Sequence, residues 1–213
     1  MQSTAPYLIL AAFCLALWTP VRVAAQDNQL WISIGVDVTL ASRFNLELEQ
    51  QLRFKDEFST FKNTFTEASL AYQFSRNFSA SSNYRFLRYP NEGRRRASLS
   101  GQYKLYLDRF SLGYRLKAQR ETEPGESQED WVRNRLALTY PITSGLSSYI
   151  ELEAFHQVDS GEYDYRKYRL TWGFKKRLTK IHSLKGFIRF QEEVDIADPS
   201  RLLIWGARYQ ISL

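Results

Sequence analysis

The feature that most constrains the fold is an alternation of apolar and polar residues that runs from Leu30 to the end of the chain. In the segment FNLELEQQLRF at residues 44–54, the leucines and phenylalanines all have even residue numbers and the charged residues all have odd ones. We call each such set of alternate residues a parity. Such a pattern is typical of a β-strand with one apolar face and one charged face. We count eleven segments of this kind, separated by turns. The sequence therefore predicts an all-β fold.

Segment length indicates which medium the apolar face meets. The segments are about ten to twelve residues long, close to the roughly 9–11 residues of a strand that crosses a bilayer on a tilt. Strands of soluble proteins are mostly nearer five or six residues. The pattern therefore favours lipid. In the alternative, a soluble lipocalin-like or sandwich protein, the same leucines would form a core.

The connections between the segments alternate in length. Short turns are predicted near residues 42, 76, 108, 143 and 178. Between them lie longer polar connections, which read KDEFSTFKN, YPNEGRRR, ETEPGESQE, DSGEYDY and EEVDIADPS. Outer-membrane barrels have tight turns on one rim and longer loops on the other. The layout therefore predicts a membrane barrel whose short turns share one rim.

Aromatic residues of the apolar parity collect beside the short turns. Amphipathic rings favour the headgroup level of a bilayer, where outer-membrane barrels carry aromatic belts. We predict one aromatic girdle from these residues: Phe44, Phe74, Phe78, Phe110, Tyr140 and Phe174.

The predicted fold is a transmembrane up-and-down antiparallel β-barrel of 10–12 strands, which forms one domain over residues 26–213. Bacterial barrels of this type have even strand numbers, whereas the segment count is odd. Two solutions stay open. Either residues 26–36 bend at Gly35 and supply part of an extra strand, or residues 30–40 pair only partly and ten strands close.

The N-terminal segment differs from the rest. An apolar run from Tyr7 to Trp18 is followed by small residues that end at Ala25. This pattern predicts a secretory signal peptide over residues 1–25, cleaved after Ala25, and a mature protein in the outer membrane. The alternative, an N-terminal anchor helix, is short of the ~20 residues that span a bilayer. Cys14 is the only cysteine, so the mature chain has no disulfide, thiolate metal site or cysteine nucleophile.

The charged parity is expected to line the lumen. Opposite charges on neighbouring strands can pair there, and side chains can fill a small barrel. The predicted network comprises Glu47, Glu49, Arg53, Arg115, Arg133, Arg135, Glu151, Glu153, Arg169 and Arg189. We therefore predict a non-enzymatic structural or surface-presenting barrel with a side-chain-filled lumen. The alternative is a small channel for anionic solutes, because 29 Lys and Arg exceed 23 Asp and Glu.

Catalysis is a distant alternative, in the form of a barrel hydrolase that acts on lipid or peptide. Such sites need a histidine beside a serine or an aspartate. Both histidines, His156 and His182, share the apolar parity of their segments, so neither is expected in a lumen site. We predict no catalytic residue, no metal site and no cofactor.

Three arginines, Arg94, Arg95 and Arg96, lie in a predicted long loop. Arginine forks bind phosphate oxygens well, which suggests contact with lipopolysaccharide; the alternative is a solvated loop. The expected partners are outer-membrane lipid, lipopolysaccharide and the barrel-assembly machinery. Nucleic acid is not expected, because the chain is exported. The sequence leaves the oligomeric state open.

Leu30 and Trp31, the stretch LELEQQLRFKDEF and the later NYRFLRY resemble an outer-membrane β-barrel family known as domain of unknown function 2490 (DUF2490). The resemblance covers about residues 28–213 and implies a Gram-negative outer membrane and no known activity. The chain departs from the usual barrel ending, a terminal phenylalanine, because its last residue is Leu213.

Overall fold

The computed structural model describes residues 26–125, 128–159 and 161–213, so the predicted signal peptide lies outside the described residues. This part of the chain forms eleven strands. They are β1 (Asp27–Ala41), β2 (Phe44–Lys55), β3 (Thr60–Gln73), β4 (Phe78–Arg88), β5 (Gly93–Tyr106), β6 (Ser111–Thr122), β7 (Glu129–Thr143), β8 (Leu146–Asp159), β9 (Glu162–Arg177), β10 (His182–Glu193) and β11 (Arg201–Ser212). Within these ranges, no helix is long and apolar enough to cross a membrane.

The eleven strands close into a barrel, which confirms the predicted fold. Each strand pairs antiparallel with the next, and β1 pairs parallel with β11 from Asp27 opposite Leu202 to Asp37 opposite Ser212. The parallel pair resolves the odd count, because it lets β1 and β11 begin at the same rim. Neither solution proposed from the sequence is needed, since β1 is continuous through Gly35. Closure leaves no unpaired strand edge, as a membrane requires.

Alternation along the strands separates an apolar outer face from a polar inner face. On β2, Leu48 and Leu52 are 49% and 42% exposed, whereas Gln51 between them is 8% exposed. Every strand contributes at least one large, exposed apolar side chain to the outside. An apolar surface around the whole barrel is typical of a protein whose solvent is lipid.

The six aromatic residues predicted as a girdle are exposed and lie at or near the rim of the short turns. Phe44 contacts Tyr72 with ring centroids 4.7 Å apart, and Phe74 and Phe78 face each other at 5.4 Å across their turn. The role of these rings at a membrane interface stays a prediction.

The prediction of long loops on the other rim is largely wrong. The connection predicted as KDEFSTFKN is reduced to residues 56–59, and most of DSGEYDY belongs to β8 and β9. The strands continue because backbone pairing does not depend on apolar side chains, and they reach 16 residues in β9. Only the connections 123–128 and 194–200 are longer than those at the short-turn rim.

The loop predicted for the arginine run is also wrong, because β5 begins at Gly93. Alternation turns Arg94 and Arg96 toward the inside, where they contact carboxylates, and leaves Arg95 exposed on the outside. Only Arg95 of the three is therefore placed to meet a lipid headgroup.

Candidate functional site

The inside of the barrel holds a cavity of about 440 Å³ at the end of the short turns, which we call the vestibule. Its wall begins beside these turns, at Asn45, Ala71 and Ser79, and extends to Trp31 and Phe65. Nine of the ten residues in the predicted charge network line it: Glu47, Glu49, Arg53, Arg115, Arg133, Arg135, Glu151, Arg169 and Arg189.

The vestibule wall carries an excess of positive charge. Its lining contains ten Lys and Arg side chains and four Glu side chains. Between them lie small polar residues such as Ser33, Ser81 and Ser100, which leave room for solvent. The formal charges of the lining side chains therefore sum to a positive value on this wall.

Toward the other rim, the lumen is filled by buried side chains, and we call the five apolar ones the roof: Trp31, Phe65, Leu87, Phe155 and Ile204. The polar side chains of Gln29 and Asn63 are buried at the same end. Each of these side chains is between 0% and 5% exposed. Trp31 and Phe65 form the inner end of the vestibule, whereas Leu87, Phe155 and Ile204 do not line it. The lumen is therefore filled at the roof and open in the vestibule, so the predicted side-chain-filled interior describes only one of its two parts.

Arginines lie directly against the roof. The Arg53 guanidinium carbon is 3.9 Å from the ring centroid of Trp31, and that of Arg85 is 3.7 Å from the centroid of Phe65. Arg133 stands 4.4 Å from the centroid of Phe155. Guanidinium groups stack favourably on aromatic faces, and the attraction grows where water is excluded. These contacts hold positive charge at the inner end of the vestibule.

Glu153 is 6% exposed and joins three arginines beneath the roof, two of which, Arg133 and Arg169, also contact a roof ring. Its carboxylate lies 2.9 Å from Nη2 of both Arg115 and Arg133, and 3.8 Å from Nη1 of Arg169. Such a buried carboxylate is stable only because several cations compensate the loss of hydration. The three cations in turn share one carboxylate, so net positive charge remains.

Two further ion-pair groups lie lower in the vestibule wall. Arg208 contacts Glu47 and, at 3.0 Å, Glu49. Arg135 lies 3.4 Å from Glu151, whose other cation, Lys185, is 3.8 Å away. The wall thus combines paired charges of both signs with an excess of cations.

Two glycines allow aromatic side chains to lie flat against the wall. A β-carbon at Gly206 would overlap the ring of Phe187, and one at Gly173 would overlap Tyr149. Because glycine has no side chain, each ring occupies the space above the backbone instead of projecting into the lumen. This placement helps to keep the vestibule open.

The rim opposite the short turns carries a separate group of charges. Arg94 Nη2 lies 2.7 Å from Glu92 and 2.8 Å from Glu123, and Arg96 pairs with Glu121. A hydrogen bond shared with Glu123, together with the Arg94 guanidinium, lowers the pKa of Glu92 below its usual range. These contacts tie the inward-facing arginines of the run to the barrel itself.

Neither histidine lines the vestibule. His156 lies on the outer face of β8, with its ring centroid 5.4 Å from that of Tyr165. His182 Nδ1 is 2.9 Å from the Tyr209 hydroxyl. In the ranges that the structure covers, no group of three or more His, Cys, Asp or Glu residues could hold a metal ion.

The roof was not predicted from the sequence. Only the charged residues of the polar parity were expected in the lumen, although large apolar residues share this parity. Trp31, Phe65 and Phe155 each interrupt the alternation of their strand with an apolar residue at an inward position. A large apolar residue at a position where the alternation calls for a polar one could therefore have indicated the roof.

Comparison with known proteins gives a family and a fold. The family model described as "Protein of unknown function (DUF2490)" matches residues 28–199. No curated protein matches the chain. The structure of the NanC porin is similar at 12% identity and a TM-score of 0.51, with 78% of this chain and 87% of that one covered. The KdgM porin in complex with disordered oligogalacturonate is similar at 13% identity and a TM-score of 0.50, with 82% and 92% covered.

Proposed function

The chain belongs to the DUF2490 family of proteins of unknown function, and we propose that it forms an outer-membrane channel for small anions. The observation that carries the proposal is the wall of the vestibule, where ten Lys and Arg side chains face four Glu side chains. Rings of basic side chains lower the barrier for anions and raise it for cations. The anionic channel is therefore favoured over a purely structural barrel, which needs no cavity with one dominant charge.

The likeness to porins supports this proposal. Both solved structures described above are porins, and one of them is a complex with oligogalacturonate, a saccharide that carries carboxylates. The vestibule, at about 440 Å³, has the size of a site for one small solute. We therefore propose single small anions, such as chloride, phosphate or short carboxylates, as the solutes.

The roof is the barrier in this channel. Because its five side chains are nearly fully buried, a solute that has entered the vestibule passes only when the roof side chains move aside. Trp31 is the central residue of this barrier: Arg53, Arg189 and Arg169 stand 3.9, 5.3 and 5.7 Å from its ring centroid. An anion that binds these arginines would replace their cation–π contacts with the Trp31 ring.

We orient the barrel by its two longest connections, 123–128 and 194–200, which share the rim opposite the short turns. In outer-membrane barrels the short turns face the periplasm. With this orientation, the vestibule opens to the periplasm and the roof lies near the cell surface. β1 then begins at the outer rim beside the start of β11.

The test is the zero-current potential of the purified protein in a planar bilayer under a gradient of potassium chloride. We expect wild-type protein to conduct and the potential to have the sign of chloride selectivity. The double variant Lys117→Gln/Arg135→Gln removes two cations from the vestibule wall and should shift the potential toward that of an unselective pore. The control, Lys176→Gln, removes a charge from an exposed side chain on β9 and should have no effect.

Two results would contradict the proposal. One is selectivity for potassium in the wild-type protein. The other is an absence of conductance both in wild type and in a variant whose roof is opened by Trp31→Ala. The second result would favour the structural barrel, in which the lumen charges serve folding alone.

A further inference from the structure

The outer face of β4, β5 and β6 carries three arginines near the rim opposite the short turns. Arg88, Arg95 and Arg120 lie on these three neighbouring strands and are all exposed. Arg95 pairs in register with Phe86 and Thr122, each two residues from one of the other arginines. Diagonal neighbours of this kind stand roughly 7–8 Å apart, so Arg95 lies between Arg88 and Arg120 on the outer face.

Two of the three charges are available for a ligand. Arg120 is held by Asp130, with an Nη2–Oδ2 distance of 2.6 Å. Among the residues that the structure describes, no ion pair involves Arg88 or Arg95. Both flank a recess of about 590 Å³ beneath residues 89–93, which is bounded on its other side by Pro124.

Below the arginines, the outer face is recessed by small residues. Ala97, Ser82 and Ala118 line a hollow of about 540 Å³ that begins at Arg120. A second hollow of about 500 Å³ shares Ser82 and Ala118 with the first and continues past Ala80 and Gly101. It ends at the aromatic residues near the short turns, Phe44, Tyr72 and Phe74. Leu99 also lines both hollows, which lie next to each other between Arg120 and the girdle; together we call them the groove.

We propose that this surface binds one phosphorylated, multiply acylated lipid of the outer leaflet, of the lipid A type. The unpaired guanidinium groups of Arg88 and Arg95 bind its phosphate, and an acyl chain lies in the groove over Ala97 and Ala118. Arginine forks bind phosphate with charge-assisted hydrogen bonds. The depth of the groove lets a chain contact the barrel closely, which maximises dispersion contacts. The site is on the opposite face of the wall from the vestibule. Its place in the outer leaflet rests on the orientation proposed above, but lipid binding does not depend on conduction through the lumen.

The test uses delipidated protein in detergent micelles, titrated with diphosphorylated lipid A and analysed by native mass spectrometry. We expect one lipid to bind per barrel. The variant Arg88→Ala/Arg95→Ala should bind at least about tenfold more weakly, because it loses hydrogen bonds to a charged group. Its control, Arg43→Ala/Arg109→Ala, removes the same charge from exposed residues at the opposite rim and should bind as wild type does.

The groove is tested separately. Ala118→Leu fills it without a change of charge and should weaken binding, whereas Ala207→Leu on the outer face of β11 should not. Lipid A without phosphates should bind the wild type and the arginine variant equally weakly. Equal affinities of the arginine variant and its rim control for the phosphorylated lipid would overturn the proposal. So would binding that does not depend on the phosphates.

Discussion

The vestibule and the roof are built from the same parity of the same strands, yet one holds solvent space and the other holds none. On β3, Phe65 is 2% exposed in the roof, while Ser69, four residues along, lines the vestibule. On β8, Phe155 belongs to the roof and Glu151 to the vestibule. The difference lies in side-chain polarity, because the vestibule is lined mainly by charged and small polar residues and the roof by apolar ones. Alternation decides which side chains face inward, and the burial of apolar side chains decides at which level the lumen is filled.

The largest expected effect is on stability, and it distinguishes the buried carboxylate of Glu153, beneath the roof, from the more exposed carboxylate of Glu47 in the vestibule. Glu153→Gln leaves Arg115, Arg133 and Arg169 without their shared anion, and we expect a loss of about 3–5 kcal/mol in the free energy of unfolding. Glu47→Gln affects a pair whose side chains are 31% and 25% exposed, and should cost about 1 kcal/mol or less. Urea unfolding in detergent micelles measures both. Equal losses would mean that the two regions do not differ in hydration.

The next effect concerns the barrier itself. Trp31→Ala removes the central side chain of the roof and should cost about 3 kcal/mol, at the lower end for such a truncation because the vestibule supplies water to the space. Single-channel conductance should rise in this variant. Trp205→Ala removes the same side chain from the lipid-facing side of β11, where it is 42% exposed, and should leave conductance unchanged. A conductance unaltered by Trp31→Ala would show that the barrier lies elsewhere.

A smaller effect is expected from the glycines that keep the vestibule open. Gly206→Ala places a methyl group where the Phe187 ring lies, and the forced movement of the ring should cost about 1–3 kcal/mol. Gly186→Ala on the neighbouring strand meets no atom within 4 Å. It should leave stability unchanged or raise it slightly, by about 0.4–1 kcal/mol. The same unfolding assay compares the two, and similar losses would mean that the ring does not depend on Gly206.

The smallest effect is expected at the outer face. Arg120 and Asp130 form an ion pair whose side chains are 59% and 37% exposed. A double-mutant cycle with Arg120→Ala and Asp130→Ala should give an interaction energy far below the loss expected for Glu153→Gln, because solvent screens an exposed pair. A value as large as that expected for Glu153 would contradict the contrast between exposed and buried pairs.

The sequence allowed the barrel to be predicted because the side-chain period of a strand is fixed by the backbone. Every leucine of FNLELEQQLRF lies on the outside, and the charged residues chosen for the lumen lie inside. Closure could not be predicted, because the parallel pairing of β1 with β11 depends on where the ends of the strands meet in space. The predicted strands were too short, because polar residues such as Arg94 take part in the hydrogen-bonded ladder as well as apolar ones do.

The division of the lumen into vestibule and roof could not be predicted from the sequence, for a related reason. Whether Trp31 and Phe155 meet across the barrel depends on the stagger of all the strands between them, which local patterns do not determine. The groove on the outer face could not be predicted either, because it also depends on how neighbouring strands are aligned. Ala97, Gly101 and Ala118 read as ordinary lipid-facing residues until the register of β5 and β6 brings them side by side.

The central claim, a lumen divided into an open vestibule and a closed roof, is tested most directly by cysteine accessibility. The chain's only cysteine is Cys14, in the predicted signal peptide, so single cysteines can be introduced without background. Ser81→Cys reports on the vestibule, and Asn63→Cys reports on a residue two positions beyond Phe65 that is 0% exposed. In vesicles exposed to an anionic thiol reagent, we predict rapid modification of Ser81→Cys. Asn63→Cys should be modified only when Trp31→Ala is also present. Equal rates at the two positions in the otherwise wild-type barrel would contradict the account.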